Sequence, residues 1–210
     1  MKKGLISLIA LLLSCSAIAT ETSNRANWHV TAYQAIWMDS NLVDVIPRAL
    51  TADLTFKGSR FSSLSVMKKL HQFEPQTIPF TDINIGHILL ELEGQLIKHS
   101  GKQHNFESTF AFIFRTPNVA IFNGLQANFG VGDGFSVAHS RPDYEKDGNG
   151  KHEDQVYLQN HIVIELEFSH HKQPSWAVVT RIHHRSGIYG LISPQKTGSN
   201  FLALGLRWAI

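Results

Sequence analysis

The chain closes on Phe201-Leu202-Ala203-Leu204-Gly205-Leu206-Arg207-Trp208-Ala209-Ile210, in which every even position from Leu202 to Ile210 is large and apolar. Phe201, Ala203, Gly205, Arg207 and Ala209 fall on the other face. Successive side chains of an extended chain point to opposite sides, so a period of two marks a strand between two unlike environments, one of them uniformly apolar. The pattern recurs upstream. Phe106, Ser108, Phe110, Phe112 and Phe114 alternate with Glu107, Thr109, Ala111, Ile113 and Arg115, and Ile162, Ile164, Leu166 and Phe168 alternate with His161, Val163, Glu165, Glu167 and Ser169. Leu125, Ala127, Phe129 and Val131, and again Trp176, Val178, Thr180 and Ile182, behave the same way.

Counted along the chain, the periodicity predicts strands at 27–38, 59–69, 83–98, 104–116, 124–138, 155–168, 175–190 and 199–210. Eight is an even number, as a single-chain bacterial barrel requires, and the fold class read from the sequence is all-β, an eight-stranded antiparallel transmembrane β-barrel. Connections 39–58, 99–103, 139–154 and 191–198 are expected outside the cell, and 70–82, 117–123 and 169–174 in the periplasm. Within 49–57, Leu50, Ala52, Leu54 and Phe56 also alternate, which either extends the second strand or makes a short hairpin. The closing strand resembles the C-terminal signal of bacterial outer-membrane barrels, with Ile210 where Phe is usual. That resemblance implies the barrel-assembly machinery as a partner.

The N-terminus reads as an export signal. Met1-Lys2-Lys3 is basic, Gly4 to Ala19 is almost wholly apolar or small, and Ala17-Ile18-Ala19 is a cleavage motif, so residues 1–19 are expected to be a signal peptide and 20–210 the barrel. Leu12-Leu13-Ser14-Cys15 also fits a lipoprotein box loosely, which would put cleavage before Cys15. Without Lys2 and Lys3, seventeen basic residues face seventeen acidic ones, and this balance offers no footprint for nucleic acid. Cys15 is the single cysteine, which excludes a disulfide scaffold. With 43% hydrophobic and 17% charged residues the chain is not disordered, and beyond the leader no run of eighteen apolar residues remains. The expected destination is the cell outer membrane of a Gram-negative bacterium.

An eight-stranded barrel is filled by its own side chains, so no solute pore is expected. Glu91 and Glu93 or their neighbours, with Glu165, Glu167, Arg115, Arg181 and Arg207, fall on inward faces and can pair there. His170-His171 and His183-His184 are adjacent, and neighbouring strand residues diverge, so neither pair is expected to share a metal. Glu145, Asp147, Asn149 and Gly150 imitate half a calcium loop, but Val156 stands at its twelfth position. No metal and no organic cofactor is predicted.

One constellation carries chemistry: Arg181-Ile182-His183-His184-Arg185-Ser186-Gly187-Ile188-Tyr189-Gly190, followed by Gly198-Ser199-Asn200 and the last strand. Counting by two from Ile182 puts His184 and Ser186 on the lipid side near the outer end, where polar groups are costly. An imidazole beside a hydroxyl is the core of nucleophilic acyl transfer. A structural alternative is a rim residue pair meeting lipid headgroups.

His-x-Ser in the penultimate strand, a Gly/Asn-rich loop and a closing Leu-Gly-Leu-Arg-aromatic strand resemble the outer-membrane lipid A 3-O-deacylase family, related to acyloxyacyl hydrolases. Over 80–210, the stretches ELEGQLIKH (91–99), VGDGFS (131–136) and IHHRSGIYG (182–190) resemble uncharacterised proteobacterial barrels related to that family. The resemblance implies Ser186 as nucleophile, His184 as base, an acidic orienter, and outer-membrane lipid (lipid A, or lipopolysaccharide) as partner. Two features depart from it: Gly187 stands where the family has Asn, and no Asp or Glu follows Glu167. Asp154, expected to face outward near Tyr189 and Gly190, is the substitute acid. The sequence thus leaves two functions open, an acyl-ester hydrolase of lipid A and a non-catalytic barrel whose outer loops, chiefly 139–154, bind a ligand or partner.

Overall fold

In the computed structural model the apolar positions lie on the outside of a closed ring of strands. The structure describes residues 26–77, 80, 84–140, 142, 157–188, 191–192 and 198–210. The leader with Cys15, the calcium-like stretch, Asp154, Tyr189 and Gly190 lie outside the described residues.

The elements are β1 (Trp28–Met38), α1 (Leu42–Leu50), β2 (Phe56–Thr77), β3 (Asn84–Ser100), β4 (Phe106–Arg115), β5 (Val119–Phe122), β6 (Leu125–Ala138), β7 (Leu158–His170), β8 (Gln173–Ser186) and β9 (Gly198–Ala209). Every pairing is antiparallel, in the order β4-β3-β2-β1-β9-β8-β7-β6, and β4 pairs with β6 to close the ring. Eight long strands therefore make the wall, the architecture expected from the sequence. The ninth, β5, pairs with β6 alone beneath it. Trp28 and Ala209 mark a lower rim, and the connections after β1, β3, β6 and β8 an upper one.

Two connections differ from expectation. The 117–123 turn contains β5, folded back through Asn123-Gly124, both at positive φ (46° and 81°), the two-residue hairpin turn that Asn-Gly favours. The 39–58 loop contains α1, with Val45 buried beneath it. Segment 49–57 is accordingly not a hairpin, and it extends the second strand only at its end. Ala49 and Leu50 end the helix, and only Phe56 and Lys57 belong to β2.

The outer wall is apolar, with Phe110, Phe112, Phe114, Phe129, Val131, Leu204 and Leu206 exposed. Trp28, Trp176 and Trp208 ring its lower edge, the last two 5.8 Å apart. The lumen is the opposite: Glu91, Glu93, Glu165, Arg115, Arg181 and Arg207 are each 0–1% exposed. Arg115 Nε meets Glu91 at 2.7 Å, Arg181 Nη1 meets Glu93 at 2.7 Å, and Arg207 pairs with Glu167. Glu165 is shared by all three guanidiniums and by the Tyr33 hydroxyl, which donates to it at 2.7 Å. The interior is a filled ion-pair core, as the sequence reading required.

Candidate active site

β8 runs up to the rim with Arg181, His183 and Arg185 buried in the lumen and Ile182, His184 and Ser186 on the outer face, half-buried. Alternation therefore separates the two adjacent histidines. His183 Nε2 meets Glu107 at 3.1 Å inside the barrel, beside His99 Nε2 at 2.7 Å from the same carboxylate. His184 looks outward. The other pair, His170 and His171, stacks at 4.9 Å against the Asn123-Gly124 turn. Among the described residues no group of three or more metal-ligating side chains could hold an ion.

Around His184 and Ser186 the register assembles residues to which the sequence reading gave no role. His184 pairs across β8 and β9 with Asn200, and Ser186 pairs across β7 and β8 with Asn160. His184 Nδ1 lies 2.7 Å from Asn200 Oδ1, and Asn200 Nδ2 donates to the Ser40 carbonyl at 2.6 Å. The amide is thereby held from two sides: its nitrogen serves Ser40, so its oxygen faces the ring. An amide oxygen can only accept, which makes Nδ1 the protonated nitrogen and leaves Nε2 as an acceptor. On the other flank Asn160 Nδ2 donates to Asp133 Oδ1 at 2.6 Å and to the Gly134 carbonyl at 3.1 Å. Asp133, Asn160, Ser186, His184 and Asn200 form one polar row across β6, β7, β8 and β9. Asp133 is the only carboxylate among the described residues on the outward faces of these four strands.

His184 makes its hydrogen bond to Asn200, not to Ser186. The two are second neighbours on one strand face, a spacing of roughly 6.6 Å along the backbone. Catalytic contacts of this kind are commonly long in unliganded sites and tighten on substrate binding. Beside them a cleft of about 380 Å3 opens between α1 and the β8–β9 rim, with Ser40, Asn41, Arg48, His184 and Asn200 on its walls. Gly198, the cross-strand partner of Ser186, also lines it. The end of β1, the connection after it and α1, a helix absent from the sequence reading, give this cleft its second wall.

The fold defines a class, the small closed antiparallel barrel with an apolar exterior and an ion-paired interior. Among solved structures it is similar to the crystal structure of the outer membrane enzyme PagL, with a TM-score of 0.59 and 11% sequence identity, over 86% of this chain and 99% of that one. The likeness is one of fold. No family model and no curated protein matches the sequence.

Proposed function

We propose that this chain is an outer-membrane barrel that hydrolyses an acyl ester of lipid A, with Ser186 as nucleophile, His184 as general base and Asn200 as the group that orients the base. The observation that carries this reading is the His184–Asn200 contact on the outer wall, one strand step from Ser186. The fold neighbour is an outer membrane enzyme, and the His-x-Ser strand resembles that of lipid A deacylases. The residues 1–19 serve as the export leader, and β9 is the strand offered to the assembly machinery.

In this mechanism the lipid-facing Ser186 hydroxyl attacks the ester carbonyl while His184 Nε2 takes its proton. The backbone N–H of Gly187 receives the developing oxyanion. The imidazolium, held by Asn200, then protonates the departing alkoxide, and water releases the fatty acid from the serine. Asn200 takes the position in which the family resemblance calls for an acid. A neutral orienter still fixes the tautomer, as the asparagine does in Cys-His-Asn proteases. Arg48, on the cleft wall, is placed to meet the charged head of the lipid.

Mass spectrometry of lipid A from cells expressing the wild type and Ser186→Ala at matched outer-membrane levels tests the reading. The expected result is loss of one acyl chain with the wild type alone. Identical, fully acylated lipid A in both, with the barrel shown folded by its heat-modifiable gel mobility, rejects hydrolysis of lipid A.

A further inference from the structure

At the seam where β4 meets β6, the barrel carries a second serine–histidine pair. Ser108 faces outward from the top of β4, and its Oγ lies 2.7 Å from Nε2 of His139, the residue that follows β6. The pair is locked by the ring closure: His139 N–H donates to the Phe106 carbonyl at 2.8 Å, fixing the histidine backbone to the strand that carries the serine. Either tautomer makes this contact; with the proton on Nδ1, Nε2 accepts from the hydroxyl, which is the polarity that a base on a nucleophile needs.

Beside the pair, at its own height on the wall and just above, an exterior groove of about 590 Å3 runs across β2, β3 and β4. Leu64, Leu96 and Phe106 line it, and each is more than half exposed. Lys98 stands at its head, with Nζ 4.2 Å from the Phe106 ring centroid and 2.7 Å from the His104 carbonyl. An apolar trough on a lipid-facing wall, ending in a cation, a hydroxyl and an imidazole, matches one amphiphile: a single acyl chain whose ester lies at the rim. The ammonium has donors to spare for an oxyanion beyond its bond to His104.

We propose that Ser108, His139 and this groove form a second acyl-ester site, taking one ester-linked acyl chain of a membrane lipid. It rests on the lipid-facing placement of the wall proposed above and is independent of Ser186. Ser108 Oγ bonds to the carbonyl carbon and its proton passes to His139 Nε2. The C–O bond of the ester then breaks, and the departing alcohol takes that proton. Water, deprotonated by the same nitrogen, cleaves the acyl-serine to a free fatty acid.

The test uses the full chain in detergent micelles, treated with dodecyl fluorophosphonate, and mass spectrometry to locate phosphonylated serines. In this reaction the Oγ–P bond replaces the P–F bond, fluoride leaves, and the proton goes to the histidine. The expected result is an adduct on Ser108 that forms on the order of 10²-fold more slowly in His139→Gln. Leu96→Trp, which fills the groove, slows the dodecyl probe but not its ethyl counterpart. A folded barrel labelled on Ser186 alone, or on no serine, overturns the proposal, as does Ser108 labelling indifferent to His139→Gln. An adduct on Ser108 alone supports it and removes Ser186 from the catalytic reading.

Discussion

Asn200 Oδ1 stands 2.7 Å from His184 Nδ1, while the amide nitrogen of the same residue donates to the Ser40 carbonyl at 2.6 Å. The β1–α1 connection thus holds the group that sets the histidine tautomer. Asn200→Ala removes the acceptor and frees the ring, and the proposed deacylation is expected to fall by on the order of 10²-fold or more. Asn200→Asp keeps an acceptor on Nδ1 and adds charge that stabilises the imidazolium, but sets a carboxylate against the Ser40 carbonyl. It is expected to keep wild-type activity or better with lower thermal stability. Lipid A mass spectra at matched protein levels give the activities, and wild-type deacylation by Asn200→Ala would falsify the orienting role.

Glu165 is shared by Arg115, Arg181 and Arg207, yet each arginine also has a carboxylate of its own, in Glu91, Glu93 and Glu167 respectively. The two ends of this network are therefore unequal. Arg181→Gln leaves fully buried Glu93 without its guanidinium, a loss of about 3–5 kcal/mol. Glu165→Gln leaves every arginine paired and is expected to cost less. Urea midpoints of the two variants refolded in detergent check the order, and a larger loss for Glu165→Gln would show the shared carboxylate to be the keystone.

The wall was legible in the sequence because period two is a local property. The Phe106–Phe114 and Leu202–Ile210 faces needed no tertiary information to be assigned to the outside. The orientation of His184 and Ser186 followed from the same parity. Asn200, Asn160 and Asp133 did not, because their roles depend on register between strands. Asn200 lies fourteen residues from Ser186, and only the pairing Ser186 with Gly198 brings it opposite His184. Two local signals were present and unread. Asn123-Gly124 is a hairpin turn, and Leu42, Val45, Ile46 and Ala49 have helical spacing, masked by the accidental alternation from Leu50 to Phe56.

Asp133 faces out from β6 and is answered by the Asn160 amide at 2.6 Å. A carboxylate on a lipid-facing wall is costly unless it serves a site. Asp133→Leu deprives the nearly buried Asn160 of an acceptor and loosens the cross-strand neighbour of Ser186. The loss is expected to be about 1–3 kcal/mol in stability, with a fall in the proposed deacylation. Asp133→Asn retains an acceptor oxygen and is expected to keep both. Equal activity of the leucine variant, measured on the same lipid A assay, would reduce Asp133 to a rim residue.

The ring closes where β4 meets β6, and that seam depends on glycine. A Cβ on Gly134 would stand 1.9 Å from the Phe110 carbonyl oxygen, and one on Gly132 2.6 Å from that of Phe112. Both contacts are with backbone of the partner strand, so relief requires the strands to separate rather than a side chain to turn. Gly134→Ala is therefore expected to cost at least about 1–3 kcal/mol, the range for overpacking, and to lower the fraction of chains that close. Gly94 supplies the control, since a Cβ there meets nothing within 4 Å and Gly94→Ala in a strand interior should be neutral or stabilising. Refolding into detergent, followed by comparing heated and unheated samples on a gel, reads the closed fraction directly. Equal closed fractions for the two alanine variants would mean that the β4–β6 seam tolerates separation and that closure is decided elsewhere in the ring.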